Sequence, residues 1–122
     1  MNQVFISGNL GQDPDIRYFE SGTCKARFTV AIYAGKDKNT GEEKPPNWVT
    51  VDSWGKTAEI AAKLKKGDRA MVEGRLNQER WADKESGQNR SALTVIANTI
   101  NKIEKPPKTE QGQSTQYDEM PF

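Results

Sequence analysis

Residues 24–34, CKARFTVAIYA, constrain the chain more than any other stretch. Ala26, Phe28, Val30 and Ile32 alternate with Lys25, Arg27, Thr29, Ala31 and Tyr33. Alternation with period two sends the first set to one face of an extended strand and the second set to the other. A helix would mix the two sets around its circumference. The stretch therefore demands a β-strand with one apolar, core-facing side and one polar side that also carries an aromatic ring.

Four other runs have strand composition. NQVFISGNL (2–10) alternates Val4 and Ile6. NWVTVDSW (47–54) puts Val49, Val51 and Ser53 on one face and Trp48, Thr50, Asp52 and Trp54 on the other. RAMVEGRLNQERW (69–81) puts Ala70, Val72, Gly74 and Leu76 on one face, with Arg69, Met71, Glu73, Arg75 and Trp81 opposite. RSALTVIANTI (90–100) is the fifth. Turn clusters separate them: GQDPD, GKDKNTGEEKPP and ADKESGQN. Between the third and fourth runs, KTAEIAAKLKKGD changes period. Ala58, Ile60, Ala61, Ala62 and Leu64 predict a short helix, with lysines in its last turn and Gly67 as its stop. Five strands with a helix between strands 3 and 4 is the order of an OB-fold. This all-β, partly open, five-stranded Greek-key barrel commonly binds oligonucleotides.

A chain of 122 residues, 34% hydrophobic and 29% charged, suits one small domain. That domain is expected over residues 1–103. From residue 104 the character changes: EKPPKTEQGQSTQYDE is polar and rich in Pro and Gln. It lacks the apolar surface to offset its ordering entropy, so 104–122 is expected to be a disordered tail with a hydrophobic end, DEMPF.

The chain has no histidine and one cysteine, Cys24. An intramolecular disulfide is impossible, a Cys/His zinc site is excluded, and most acid–base and nucleophilic catalysis loses its usual groups. No metal, cofactor or catalytic residue is expected. No apolar run reaches membrane-spanning length, and MNQVFISGNL lacks the layout of a signal peptide. An intracellular, soluble protein is expected. The formal charge is only +1, which by itself argues against a nucleic-acid binder. The distribution is less neutral. Residues 1–104 carry 16 Lys+Arg against 14 Asp+Glu, net +2, and the tail carries net −1.

The aromatics carry the chemistry. Trp48, Trp54 and Trp81 are all the tryptophans of the chain, and parity puts each on the polar face of its strand, as it does Tyr33. A barrel has one interior, and the aliphatic faces already fill it. Three Trp and a Tyr on the open side form a candidate stacking platform, since every base offers a π-face. Trp48 and Trp54 stand about 20 Å apart along the strand, room for several splayed nucleotides. Basic residues interleave with them: Lys25 and Arg27 on the Tyr33 face, Lys56 two residues after Trp54, Arg75 with the parity of Trp81, and Arg80 beside it. Lys63, Lys65 and Lys66 close the helix. Such a stripe supplies the phosphate contacts that the net charge hides. Gly8 and Gly11 do not make a phosphate loop, because GNLGQDP lacks a following helix and a Lys-Ser/Thr pair. They are expected to serve turns or bulges at a barrel corner. Asp52, between two tryptophans, reads as a hydrogen-bonding or salt-bridging residue.

SGNLGQDPDIRY, DKNTGE, WGKTAEIAAKLKKGD, VEGRL, RWADKESGQNR and the terminal DEMPF together resemble the bacterial single-stranded DNA-binding protein family. The resemblance covers residues 1–103 and the tip of the tail. It implies an OB-fold assembled as a homotetramer, with single-stranded DNA wrapped over it during replication, repair and recombination. It implies base stacking at Trp48, Trp54 (where the family often has Phe) and Trp81, and backbone contacts at Lys56, Lys66 and Arg80. It also implies that Asp118, Glu119, Met120, Pro121 and Phe122 dock on DNA replication and repair enzymes. The location it implies is cytoplasmic and nucleoid-associated. One departure is Gly35 or Lys36, where many members carry a further tryptophan. The competing readings are an OB-fold RNA-binding or primosomal accessory protein, and a protein-interaction module whose tryptophans form an oligomer interface. An enzyme ranks last.

Overall fold

A computed structural model describes residues 1–104. Six strands and one helix follow in the order β1 (Val4–Leu10), β2 (Asp15–Tyr18), β3 (Cys24–Ile32), β4 (Asn47–Trp54), α1 (Gly55–Ala61), β5 (Arg69–Ala82) and β6 (Asn89–Ile103). The sheet order is β1-β5-β6-β4-β3-β2, and β1 also pairs with β3 through Asn9 and Leu10. Five of the strands thus close into a barrel. The seam between β4 and β6 is parallel and only two residue pairs long, Val51 with Val95 and Asp52 with Ile96, so the barrel stays partly open there. This is the OB-fold, with the helix between the third and fourth barrel strands.

The sixth strand was not legible as one. β2 falls partly in the stretch read as the GQDPD turn. It is four residues long, lies at the edge of the sheet and borrows its hydrogen bonds from the start of β3, with Ile16 opposite Ala26 and Tyr18 opposite Cys24. A strand with a single apolar residue turned inward leaves too short a pattern to read.

The core is built by the predicted alternation. Ala26, Phe28 and Val30 of β3, Val51 of β4, Val72 of β5 and Val95 of β6 are all buried. Full burial of one such valine stabilises by about 1.5–3 kcal/mol. Ser53 shares the valine face and is also fully buried. Its hydroxyl donates to the Ala26 carbonyl at 3.1 Å, which removes the desolvation penalty. Ala58 and Ala61 of α1, with Leu64 beyond it, plug the end of the barrel.

Two boundaries differ from expectation. The helix ends at Ala61, so Lys63, Lys65 and Lys66 lie in the turn after it and not in its last turn. The cause is local: Asp68 and Asp13 carboxylates accept from the Lys65 and Lys66 amides at 2.9 and 2.8 Å, holding those amides outside the helix. Leu76, placed by parity on the core face of β5, is 46% exposed. Pairing slips between Glu73 and Gly74, where Asn98 is the extra residue of β6; the strands stay in the barrel through Val95 and Thr94, and past these they run on to the turn at Asp83 as a two-stranded arm. Leu76 stands opposite Val95 at the rim of the barrel, where the core covers only part of it.

DKNTGE and DKESGQ make the same turn. In each the glycine amide donates to the carbonyl of the leading aspartate, the aspartate carboxylate accepts from the amide two residues on, and the aspartate amide donates to the residue after the glycine. Gly41 and Gly87 have φ of 73° and 70°, the left-handed region that glycine adopts without strain. The second turn caps the arm formed by β5 and β6.

Candidate nucleic-acid interface

Strand pairing builds the site from the polar faces. Across β3 and β4, Lys25 stands opposite Trp54, Arg27 opposite Asp52, Thr29 opposite Thr50, and Ala31 opposite Trp48. The two tryptophans therefore mark the ends of one open face, 59% exposed at Trp48 and 44% at Trp54. Each has a defined support. Gly11 lies under the Trp48 indole so closely that a Cβ there would meet Cζ3 at 2.5 Å. The Lys25 ammonium sits 5.0 Å from the Trp54 ring centroid, within cation–π range. Phe19, in the turn after β2, stacks on the same indole, with centroids 5.7 Å apart and an interplanar angle of 22°.

The arm brings the third tryptophan. Alternation along β5 turns Glu79 and Trp81 to the groove, and a depression of about 350 Å³ there is lined by Arg27, Thr50, Glu79, Trp81, Ala92 and Thr94. Trp81 is 46% exposed and pairs with Arg90 on β6. Barrel closure thus places Trp81 beside Arg27 of β3 and Thr50 of β4, 54 and 31 positions away in sequence.

Asp52 is answered by Arg27. Its carboxylate accepts two hydrogen bonds from the guanidinium, Nε at 2.7 Å and Nη2 at 2.9 Å, a bidentate ion pair. Glu79 accepts a third, from Nη2 at 2.9 Å. The hydrogen bonding of Arg27 to the Asp52 carboxylate is the main reason that the Arg27 pKa rises above its ordinary value. Arg27 stays charged at every accessible pH. Asp52 is 6% exposed, and among the described residues no buried side-chain polar atom lacks a partner.

The other predicted residues fall as follows. Lys25 and Arg27 lie on the groove face between the tryptophans. Lys56 is exposed at the start of α1, two residues from Trp54. Lys66 is exposed on the turn after the helix, anchored through its amide to Asp13. Arg75 is exposed on β5 near the bulge. Arg80 has the opposite parity to Trp81 and donates to Gln78 Oε1 at 2.6 Å, on the far side of the arm. Tyr33 is exposed one residue past the end of β3. Asp118, Glu119, Met120, Pro121 and Phe122, like the expected disorder of the tail, lie outside the described residues.

Three groove residues were missed in the sequence, although Glu79 shares the parity of Trp81. Phe19 reaches Trp54 only because β2 and β3 form a hairpin. Glu79 and Arg90 reach the face only through the arm. The DIRY alternation was the one available hint of the hairpin.

A small barrel with aromatic and basic side chains interleaved on one open face defines a protein that binds extended, flat-faced, anionic polymers. The model of the single-strand binding protein family matches residues 1–103, and the chain belongs to that family. It is similar to single-stranded DNA-binding protein 1 of Synechocystis sp., 36% identical over 102 residues, covering 83% of this chain and 82% of that protein. It is also similar to single-stranded DNA-binding protein 1 of Nostoc sp., 35% identical over 115 residues, covering 93% and 92%. Members of the family bind strands and do not transform them, so the chain is a binding protein and not an enzyme. Among the described residues no helix is long and apolar enough to cross a membrane.

Proposed function

We propose that the protein binds single-stranded DNA with little sequence preference and protects it during replication, repair and recombination. The carrying observation is the exposure of Trp48, Trp54 and Trp81, with Lys25 beside Trp54 and Arg90 beside Trp81, in a chain of the single-strand binding family. The names of the Synechocystis and Nostoc relatives favour DNA as the ligand. Bases stack on the tryptophans, with Phe19 extending the platform at Trp54 and Tyr33 adding a ring past β3. Lys25, Lys56, Lys66 and Arg75 contact the phosphates, Arg27 does so from within its ion pair, and Arg80, on the far side of the arm, meets the backbone only where the strand wraps round the arm. Residues 1–103 act as the binding domain and 104–122 as a tail whose tip, Asp118 to Phe122, recruits replication and repair enzymes. The protein works as a homotetramer in the cytoplasm, at the nucleoid. Phe5 and Met71, apolar and exposed on the outer face of the β1–β5 pair, support self-association.

The test is a titration of intrinsic tryptophan fluorescence with oligo-dT, oligo-U and a duplex of the same length, at several salt concentrations. Quenching by oligo-dT, with log K falling linearly with log salt, is expected. Unquenched tryptophans at low salt would refute the reading, and preference for oligo-U would shift it to RNA. Sedimentation with and without oligo-dT reports the assembly state. Removing Pro121 and Phe122 should abolish enzyme recruitment and leave DNA affinity intact or tighter.

A further inference from the structure

We propose that the Arg27–Glu79 ion pair is a displaceable bar across the groove: a strand phosphate takes the place of the Glu79 carboxylate on Arg27, and Asp52 holds the guanidinium in position for it. The proposal rests on the single-strand reading and adds a residue, Glu79, that opposes binding until it is displaced.

Position is the first argument. Arg27 on β3 and Glu79 on β5 are not neighbours in the sheet; β6 and β4 lie between their strands. Their 2.9 Å contact therefore spans the groove from wall to wall. Two depressions flank it. One, of about 180 Å³, is lined by Phe19 and Lys25 on the Trp54 side, and the other, of about 350 Å³, by Thr50 and Trp81. Arg27 and Glu79 line both. A strand stacked on both Trp54 and Trp81 has to cross this bar.

Chemistry is the second argument. One guanidinium faces two carboxylates, so this cluster by itself carries one negative charge in excess where a polyanion must pass. The carboxylates are not equivalent. The Asp52 side chain is 9% exposed, directly opposite Arg27 on the adjacent strand, and takes two of its N–H groups. Glu79 is 39% exposed and takes one. Half-exposed single-contact pairs exchange readily, whereas a bidentate partner fixes the plane of the fork. A phosphate offers Nη2 the same kind of oxygen as Glu79, so the swap is anion for anion. The freed carboxylate then takes up a cation from solution, which cancels part of the cation release that accompanies phosphate contact.

The experiment measures oligo-dT affinity and its salt dependence for the full-length protein, E79Q, and a charge-matched control, E59Q, on the exposed surface of α1. E79Q should bind about 2- to 10-fold tighter, with a log K against log salt slope steeper by up to about 1. E59Q should change neither by as much. The second arm repeats E79Q in a background of Arg27→Gln with Asp52→Asn, which replaces the ion pair by neutral hydrogen-bonding groups. There the gain should vanish. Thermal unfolding confirms that each variant is folded. Unchanged affinity and slope in E79Q, or an equal gain in E59Q, overturns the proposal, as does a gain that persists without Arg27. Wild-type protein that fails to bind oligo-dT at all overturns the single-strand reading itself.

Discussion

Gly11 and Trp48 are in such close contact that the glycine has no room for a side chain. The six-membered part of the indole lies where a Cβ at position 11 would stand, and Thr29 Oγ1 closes the other side at 3.2 Å. The loop that leaves β1 is thus the bed of a proposed base-stacking ring.

Gly11→Ala should therefore push Trp48 off its bed and weaken oligo-dT binding by up to the value of one stacked base, about 1–3 kcal/mol. The methyl meets the ring and not the core, so the fall in thermal stability should be small. Titration and near-ultraviolet circular dichroism check both. Full affinity with an altered indole signal would show that Trp48 does not stack on a base.

Trp54→Ala should cost about 1–3 kcal/mol of binding. Phe19→Ala should cost less, because it removes the support of the ring and leaves the ring. The two rings touch, so the double variant should lose less than the sum of the singles. A double-mutant cycle by fluorescence or calorimetry decides; strict additivity would separate Phe19 from the site.

Arg27→Ala should destabilise the fold by about 1–3 kcal/mol, because it strands the nearly buried Asp52 carboxylate. The range is set low because Arg27 is 39% exposed and water screens part of the loss. Asp52→Asn with Arg27→Gln should recover much of it. Urea unfolding measures the difference. A raised folded-state pKa contributes stability that is lost only as pH rises through it. For Arg27 that lies beyond any working range, so its titration adds no pH dependence near neutrality.

Asp83 behaves in the opposite sense. Its carboxylate accepts from the Glu85 amide and from Arg90, and the first of these is the main cause that lowers its pKa below the ordinary 3.8. A depressed carboxylate contributes stability that is present above its unfolded pKa and is lost as pH falls through the folded one. The tip of the arm should thus fray in acid, with faster hydrogen exchange at the Glu85 amide. Asp83→Asn should exchange faster at neutral pH and respond less to acid. An acid response identical in both proteins would assign it to another group.

Much of this was legible in the sequence. Alternation is a local property of an extended backbone, so CKARFTVAI and NWVTVDSW declared both their core faces and their aromatic faces. The five barrel strands and the exposure of all three tryptophans follow from such alternation, and the helix between the third and fourth from the change of period in KTAEIAAKLKKGD. Asp52 was recognisable as a pairing residue but its partner was not, since parity says which face a side chain takes and not which strand lies opposite.

Everything that depends on how strands meet was decided by the tertiary structure. β2 exists because β3 offers it hydrogen bonds, and only then does Phe19 meet Trp54. β5 and β6 continue as a pair beyond the end of the β4 seam, which leaves Leu76 at the rim and brings Glu79 and Trp81 over the groove. Closing the barrel sets β5 across from β3, so Arg27 finds a second carboxylate 52 residues away. Faces are written residue by residue because the backbone pleats with a fixed period. Partners across a barrel are set by register and closure, which depend on the packing of the whole core.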